Sequence, residues 1–187
     1  MPRVSDKRER LLAAAKALIH QQGFYQTTLA DIARESKVPL GNVYYYFKTK
    51  EDIASAVIQE RTEDWLKHVW QWEQISNPRK RLVAFLEHVV AESQELIVHG
   101  CPVGSLCQEL DKTPSPLAEK ANHILKIQLE WVCEQFHLMG FSNEAVEEYG
   151  VQLMTGVQGG ILMGNALNDA KVIAIQVSRL KAWLESL

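Results

Sequence analysis

The sequence predicts an all-α protein of about nine helices, three short ones followed by six mostly longer ones. Apolar residues recur at helical spacing along nearly the whole chain, and no alternating strand pattern lasts beyond a few residues. Prolines and glycines lie between these periodic segments, at the positions where helices begin and end. A chain of 187 residues is long enough to bury a substantial core, either as one domain or as two closely packed ones.

Three short helices are predicted at the N-terminal end. Gly23 stands where the first helix needs a C-cap, and Thr28 and Asp31 have the spacing of a capping box that opens the second. A four-residue turn over 36–39 separates the second helix from the third. The three predicted helices cover residues 5–22, 29–35 and 40–46.

Six further helices follow, and most of them begin at a side chain that can cap a helix. The capping residues are Thr49, Asn77, Ser115, Ser142 and Asp169. Asn77 and Ser115 each precede a proline, which suits the first position of a helix. The predicted helices extend over about residues 49–75, 78–99, 103–111, 116–139, 142–166 and 169–187.

Charge is distributed unevenly along the chain. Residues 1–50 carry nine of the 20 lysines and arginines but only four of the 23 aspartates and glutamates, a net charge of +5. The remaining residues, 51–187, therefore carry a net charge of −8. A basic N-terminal segment on an acidic body is expected when one end of a protein meets a polyanion.

Several classes of protein are disfavoured by what the sequence lacks. No apolar run approaches the roughly 20 residues of a membrane span, and the first residues do not resemble a signal peptide. We therefore expect a cytoplasmic protein with no membrane partner. The three cysteines form no CxxC pair, which argues against a disulfide framework and a zinc site, and no cofactor is expected.

Residues 29–46 match the helix-turn-helix plan, in which a tight turn joins two short helices and the second enters the DNA major groove. The segment 41–47 places tyrosine hydroxyls around the second helix, where they can reach phosphate oxygens. Lys48 and Lys50 can neutralise phosphates, and Thr28 marks a helix start that suits an anion. The alternatives are a packed aromatic core for the tyrosine run and a solvated loop for the two lysines.

These residues resemble the DNA-binding segment of the TetR family of one-component regulators. The match is carried by Phe24 with residues 28–33, and by Val38 with residues 41–51. The resemblance implies a helix-turn-helix domain over residues 1–50 that binds a palindromic operator in double-stranded DNA. It also implies phosphate contacts at Thr28, Tyr44, Tyr45, Lys48 and Lys50, and base-edge contacts near Leu40, Gly41 and Asn42.

One position departs from the family pattern. The residue before Gly41 is often lysine in the TetR family, whereas this sequence has Leu40 after Pro39. A basic groove contact is therefore missing, and Leu40 can instead touch a thymine methyl group. Val43 and Phe47 are spaced to face inward, and Gly41 lets the backbone approach DNA closely.

The resemblance further implies that residues 51–187 form a helical effector-binding and dimerisation domain, with a homodimer formed through the last two helices. Five glycines lie in the apolar helix before the last: Gly150, Gly156, Gly159, Gly160 and Gly164. Each costs a helix up to about 1 kcal/mol relative to alanine, so some gain must offset it. We favour close helix approach in a two-fold four-helix bundle; room for a ligand is the alternative.

A small-molecule effector is expected among the middle helices. The candidate lining residues are Trp65, Trp70, Trp72, His88, Trp131, Phe136 and Met154, of which Trp65, His88, Trp131 and Met154 are favoured. Aromatic residues at helical spacing are also typical of a plain core, which is the alternative. Since no lysine or arginine is a lining candidate, the effector is expected to be apolar and weakly charged.

The segment 100–110 resembles the Gly-Cys signature of one TetR subfamily, some of whose members use that cysteine to sense electrophiles or oxidants. Cys101 is predicted at a helix start, where N–H groups and the helix dipole lower the pKa of a thiol. Cys107 is close enough in sequence to be a resolving partner. The alternative is that both are small buried hydrophobic residues.

The sequence thus predicts a ligand-responsive transcription regulator, by family default a repressor, with no catalytic residue and no metal. Two alternatives remain open, an architectural DNA-binding protein without an effector and a helical-bundle enzyme. A di-iron enzyme needs two Glu-x-x-His pairs, and only Glu134 and His137 have this spacing. The P-loop, GxSxG and GxGxxG motifs are absent from the sequence.

Overall fold

A computed structural model describes residues 6–187, and over that range the chain is all-α, which confirms the predicted fold class. The predicted start of the first helix at Ser5 lies outside the described residues. None of the described helices is long and apolar enough to cross a membrane. The helices are α1 Lys7–Gln22, α2 Leu29–Ser36, α3 Leu40–Tyr46, α4 Lys50–Glu73, α5 Pro78–Ala91, α6 Ser93–His99, α7 Gly104–Leu110, α8 Pro116–Leu138, α9 Asn143–Leu167 and α10 Ala170–Ser186.

Most helices begin where the sequence predicts, because the predicted capping side chains make the expected hydrogen bonds. At α2, the Thr28 hydroxyl accepts the Asp31 N–H at 3.1 Å. At α5, the Asn77 side chain accepts the Lys80 N–H at 3.1 Å. Side chains cap α4, α8, α9 and α10 in the same way, at Thr49, Ser115, Ser142 and Asp169.

The helix predicted over 78–99 is instead two helices, α5 and α6, separated by Glu92. The Glu92 backbone lies at φ −84° and ψ 0°, away from helical values, while its N–H donates to the His88 carbonyl at 3.1 Å. A new helical turn starts at this residue, since the Leu96 N–H donates to the Glu92 carbonyl. No glycine or proline marks the break, so the sequence pattern does not reveal it.

The chain divides into two compact units. The first consists of the described part of Met1–Glu63 with Ser105–Ile124, and the second of Asp64–Gly104 with Leu125–Leu187. Helices α4 and α8 each contribute to both units. From the sequence, a DNA-binding domain is expected over residues 1–50 and an effector-binding domain over residues 51–187. The boundary between them, after Lys50, lies inside the first compact unit, so these expected domains do not coincide with the two units.

The first unit is built around the three N-terminal helices. Its core contains buried apolar residues from α1 to α4, including Leu11, Ala15, Ile32, Val43, Phe47 and Ile53. The Arg10 guanidinium on α1 donates to the carbonyls of Ser36 and Lys37, which ties α1 to the turn between α2 and α3. Helix α3 is thereby held with one face in the core and the other at the surface.

The second unit packs α9 closely against α10 through glycine. A Cβ added at Gly156, Gly160 or Gly164 would lie 2.7–3.1 Å from side-chain atoms of α10. A Cβ at Gly150 would overlap the Cys133 sulfur on α8. Packing within one chain thus accounts for four of the five glycines: the close helix approach expected for them is present, and the neighbouring helices are α8 and α10 of the same chain. Gly159 is the exception, since a Cβ there would meet nothing within 4 Å.

Candidate nucleic-acid interface and effector site

Helix α3 has one buried and one exposed face. Val43 is fully buried and Phe47 is 4% exposed, whereas Tyr45 is 77% exposed and Tyr44 47%. Leu40, at the start of the same helix, is 41% exposed. The burial of Val43 and Phe47 agrees with the predicted inward face, and the exposure of Tyr44 and Tyr45 argues against a packed aromatic core.

Gly41 lies on this exposed face and is not required there by the packing of the protein itself. A Cβ added at Gly41 would meet no atom within 4 Å. In a helix, glycine is less favourable than alanine by up to about 1 kcal/mol. The packing of the described residues therefore does not explain the glycine.

The start of α2 is occupied by its own capping box. The Thr28 hydroxyl donates to Asp31 Oδ2 at 2.6 Å, and the Thr28 N–H donates to the same oxygen at 3.1 Å. These bonds, and then the Arg34 guanidinium, lower the pKa of the Asp31 carboxyl. A phosphate that approaches Thr28 must therefore compete with Asp31 for the hydroxyl.

The two lysines predicted to bind phosphate have different surroundings. Lys48 is exposed, and its ammonium donates to the Tyr44 carbonyl at 2.8 Å. The Lys50 ammonium donates to the carbonyls of Phe24 at 3.0 Å and Tyr25 at 3.2 Å, and lies 4.3 Å from the Phe24 ring centre. Lys50 thus braces the loop between α1 and α2, and the solvated-loop alternative does not describe it.

A carboxylate that the sequence reasoning missed contacts the same loop. Glu109 of α7 accepts the N–H of Phe24 at 2.7 Å and the N–H of Tyr25 at 2.8 Å. Glu109 is separated from these residues by 85 and 84 positions in the sequence, and no local pattern connects them. The contact becomes visible only once the chain has folded.

An aromatic cluster lies in the second unit and consists of Trp65, Trp72, Phe85 and Trp131. The ring centres are 5.3–6.2 Å apart, in edge-to-face or tilted arrangements that aromatic pairs prefer. Within the described chain, the buried Trp131 Nε1–H has no hydrogen-bond partner. An unpaired buried donor is energetically costly.

The predicted lining residues differ in burial. Most are buried in the core of the second unit, namely Trp65, Trp72, Trp131, Phe136 and Met154. Trp70 is 66% exposed, so the prediction that it lines a pocket is wrong. Helical periodicity accounts for the difference, because a separation of two residues is about half a turn and places Trp70 on the side of α4 opposite Trp72.

His88 lies at the edge of the aromatic cluster. Its ring centre is 4.3 Å from that of His68 and 5.8 Å from that of Trp72. Burial, and then the charge of His68, lower the pKa of His88, whereas the charge of Glu92 raises it. The neutral imidazole is therefore favoured in the folded protein.

Cys101 lies before α7, which begins slightly later than predicted. The first helical residue is Gly104, and its N–H donates to the Cys101 sulfur at 3.3 Å. Cys101 is half-buried and Cys107 is buried. Burial raises the pKa of the third thiol, Cys133. Over residues 6–187, no group of three His, Cys, Asp or Glu side chains is placed to hold a metal ion.

An open groove of about 490 Å³ runs along α9 and α10. Its lining includes Gly156, Gly159, Met163, Ile175 and Gln176. Met163 and Ile175 are both at least half exposed, as are the neighbouring Leu162 and Leu167. Such a set of exposed apolar side chains on one helix pair marks a surface that another protein molecule can cover.

Comparison with known proteins gives matches along the whole chain. Residues 11–57 match the model of "Bacterial regulatory proteins, tetR family". The chain is 31% identical over 177 residues to the HTH-type transcriptional regulator LmrA of Bacillus subtilis (strain 168). The match covers 91% of this chain and 93% of that protein. A TetR transcriptional regulator from Legionella pneumophila has a similar structure, with a TM-score of 0.85 at 21% identity over 98% of both chains.

A second structure is that of FadR from Bacillus subtilis in complex with stearoyl-CoA, with a TM-score of 0.73 at 20% identity over 95% of this chain and 97% of that one. These likenesses agree with the exposed third helix and the all-α fold described above. They come from transcription regulators and not from enzymes. The chain belongs to the tetR family of bacterial regulatory proteins and is a DNA-binding transcription regulator.

Proposed function

We propose that this protein is a ligand-responsive repressor, which binds a palindromic operator as a homodimer and leaves it when an effector engages the second unit. The observation that carries the proposal is the α3 surface, where Tyr44 and Tyr45 are exposed around a glycine that the packing does not require. Its inner face is fixed by Val43 and Phe47, so the exposed face is rigid. A rigid surface of this kind suits the major groove.

The proposed DNA contacts follow from this placement. Leu40, Gly41 and Asn42 stand at the start of α3 and meet base edges, whereas Tyr44, Tyr45 and Lys48 contact phosphates. Thr28 and Lys50 are proposed to contact phosphates as well, although each is already engaged within the chain. Thr28 and Lys50 are therefore proposed to act mainly by holding the start of α2 and the loop before it in place.

The homodimer is proposed to form through α9 and α10. Their groove exposes apolar side chains, including Met163 and Ile175, and a C2 dimer covers the same patch on both copies. Two α3 helices in a C2 dimer read two half-sites about one helical turn of DNA apart. Because the DNA of a bacterial cell lies in the cytoplasm, the protein is proposed to be cytoplasmic.

The effector is proposed to be an apolar molecule that binds at the aromatic cluster. Trp65, Trp131 and Met154 supply buried apolar surface, His88 stays neutral at the edge, and the Trp131 N–H supplies one donor. The complex of FadR with stearoyl-CoA shows that one protein of this fold binds a ligand with a long apolar chain. The alternative is an electrophile or oxidant that acts at Cys101, with Cys107 as resolving partner.

The DNA proposal is tested by selecting duplexes from a random-sequence library with the purified protein. We expect a two-fold-symmetric sequence, bound with an affinity that falls steeply as salt rises. Lys48→Ala should weaken binding to all duplexes, whereas substitution of Lys126 by alanine, at another exposed lysine in the second unit, should not. Binding that ignores salt or prefers single strands would contradict the proposal.

The effector proposal is tested by screening apolar compounds for release of the selected duplex. A compound that binds the aromatic cluster should release wild type and lose potency on Trp131→Phe, which keeps an aromatic ring but removes the N–H. N-ethylmaleimide should release wild type but not Cys101→Ser if the cysteine alternative is correct. If no compound and no electrophile releases the DNA, the protein is an architectural binder without an effector.

A further inference from the structure

The loop between α1 and α2 is held by side chains on both edges of its backbone. The Glu109 carboxylate accepts the N–H groups of Phe24 and Tyr25, and the Lys50 ammonium donates to the carbonyls of the same two residues. Four backbone polar groups in succession are thus bound by two charged side chains from distant parts of the chain. Hydrogen bonds to charged groups are stronger than those between neutral ones.

The loop is also shaped to receive the carboxylate. Gly23 has a φ of +86°, in a region that residues with a side chain rarely adopt, and a Cβ there would lie 3.0 Å from both Glu109 oxygens. The Phe24 ring is buried beside it, so the loop cannot move without uncovering apolar surface. Glycine at position 23 therefore serves both the turn and the close approach of Glu109.

We propose that Glu109 is a positioning residue that couples α7 to the DNA-contacting surface: its carboxylate sets the loop before α2, and its release lowers affinity for DNA. The loop leads directly into Thr28 at the start of α2, and Lys50 begins α4 two residues after Lys48. The contact thus connects α7 with proposed phosphate contacts on both sides of α3. This inference rests on the proposed DNA-binding function, and it adds the residue through which a change in α7 reaches the DNA.

The test uses Glu109→Gln, because the amide keeps the shape but has one acceptor oxygen and an NH2 group that faces a backbone donor. The matched control is Glu119→Gln, the same change of charge at an exposed position of α8 in the same unit. Affinity for the selected duplex is measured by fluorescence anisotropy. We expect Glu109→Gln to weaken binding about tenfold or more, as for the loss of charge-assisted hydrogen bonds, and Glu119→Gln to leave it unchanged.

A second measurement separates coupling from simple loss of structure. Cys107 is buried on α7, so its reaction with N-ethylmaleimide, located by peptide mass spectrometry, reports opening of that helix. In wild type, the duplex should slow the labelling of Cys107, since binding at one end of a coupled pair stabilises the other. In Glu109→Gln the duplex should no longer affect the labelling rate, even at duplex concentrations that saturate the variant.

The proposal is overturned if Glu109→Gln binds the duplex as wild type does and keeps the DNA-dependent labelling. If Glu109→Gln fails to fold, Glu109→Asp keeps the charge and shortens the reach, and it should show the same loss of coupling in milder form. Hydrogen exchange of the Phe24 and Tyr25 amides in wild type gives an independent readout, and rapid exchange of both would also overturn the proposal. A wild-type protein that binds no duplex refutes the proposed function instead, while the amide exchange still decides the Glu109 contact.

Discussion

Aromatic residues have opposite surroundings on α3 and in the aromatic cluster of the second unit. Tyr45 is 77% exposed, whereas Trp65 and Trp131 are each 8% exposed. The tyrosines stand on a short helix whose other face is anchored by Val43 and Phe47, and the tryptophans pack against one another. Because Tyr45 buries little surface within the chain, it contributes little to folding.

This contrast separates residues that act only in binding from residues that also hold the fold. On α3, the residues proposed to bind DNA can be changed without loss of the core, because they touch little of the protein. In the aromatic cluster, the residues proposed to bind the effector also hold the unit together. Function and stability should therefore respond separately to substitutions in the first region and jointly in the second.

The largest expected effect is on stability in the aromatic cluster. Trp131→Ala should lower the free energy of unfolding by about 3–5 kcal/mol, because it removes a large buried side chain and leaves a cavity. Trp70→Ala, at an exposed position of α4, should change it by less than about 0.5 kcal/mol. Urea denaturation followed by circular dichroism measures both. Similar losses for the two variants would show that burial does not distinguish them.

On α3, the expected effects are on DNA binding. Asn42→Ala should change preference at one base position by roughly 1–3 kcal/mol if the amide pairs with adenine, whereas Tyr45→Phe should weaken binding about equally on all sequences. Anisotropy titrations against single-base variants of the selected duplex measure the two patterns. The assignment is wrong if Tyr45→Phe shifts base preference and Asn42→Ala lowers affinity uniformly.

Gly41→Ala should separate stability from binding within one helix. Since nothing lies within 4 Å of the added Cβ, the variant should be more stable by up to about 1 kcal/mol. Its affinity for DNA should fall, because the methyl group stands where the backbone is proposed to approach the duplex. Thermal unfolding and anisotropy measure these together, and unchanged affinity would show that close approach to DNA does not explain the glycine.

The sequence predicted local features of the fold well and distant contacts poorly. The Thr28 capping box, the bounds of α3 and the inward face of Val43 and Phe47 all follow from residues within four positions of one another. The break at Glu92 was not predicted, because no glycine or proline marks it. The glycines of α9 predict that another helix lies close, but not that the neighbours are α8 and α10 of the same chain.

The same difference applies to the site. The candidate DNA-contacting residues form one local motif, so their positions could be predicted from the sequence. Glu109 could not, because its partners lie 84 and 85 residues away and are backbone N–H groups that nearly every residue has. Lys50 follows α3 in the sequence, but its bonds to the Phe24 and Tyr25 carbonyls depend on a loop position that only folding creates.

The smallest expected effect is the pH dependence of stability that His88 contributes at the edge of the aromatic cluster. Burial lowers the pKa of His88, so the unfolded chain binds this proton more readily than the folded one. The contribution of neutral His88 to the free energy of unfolding is fully present above the ordinary imidazole pKa of 6.5. It is lost as the pH falls through the lower pKa of the folded state.

The free energy of unfolding of His88→Gln should therefore depend less on pH below 6.5 than that of wild type. His123→Gln, exposed on α8, should follow wild type. Tryptophan fluorescence during urea denaturation is a suitable readout, because all five tryptophans belong to the second unit. If His88→Gln and His123→Gln give the same pH dependence, His88 does not supply this sensitivity to acid.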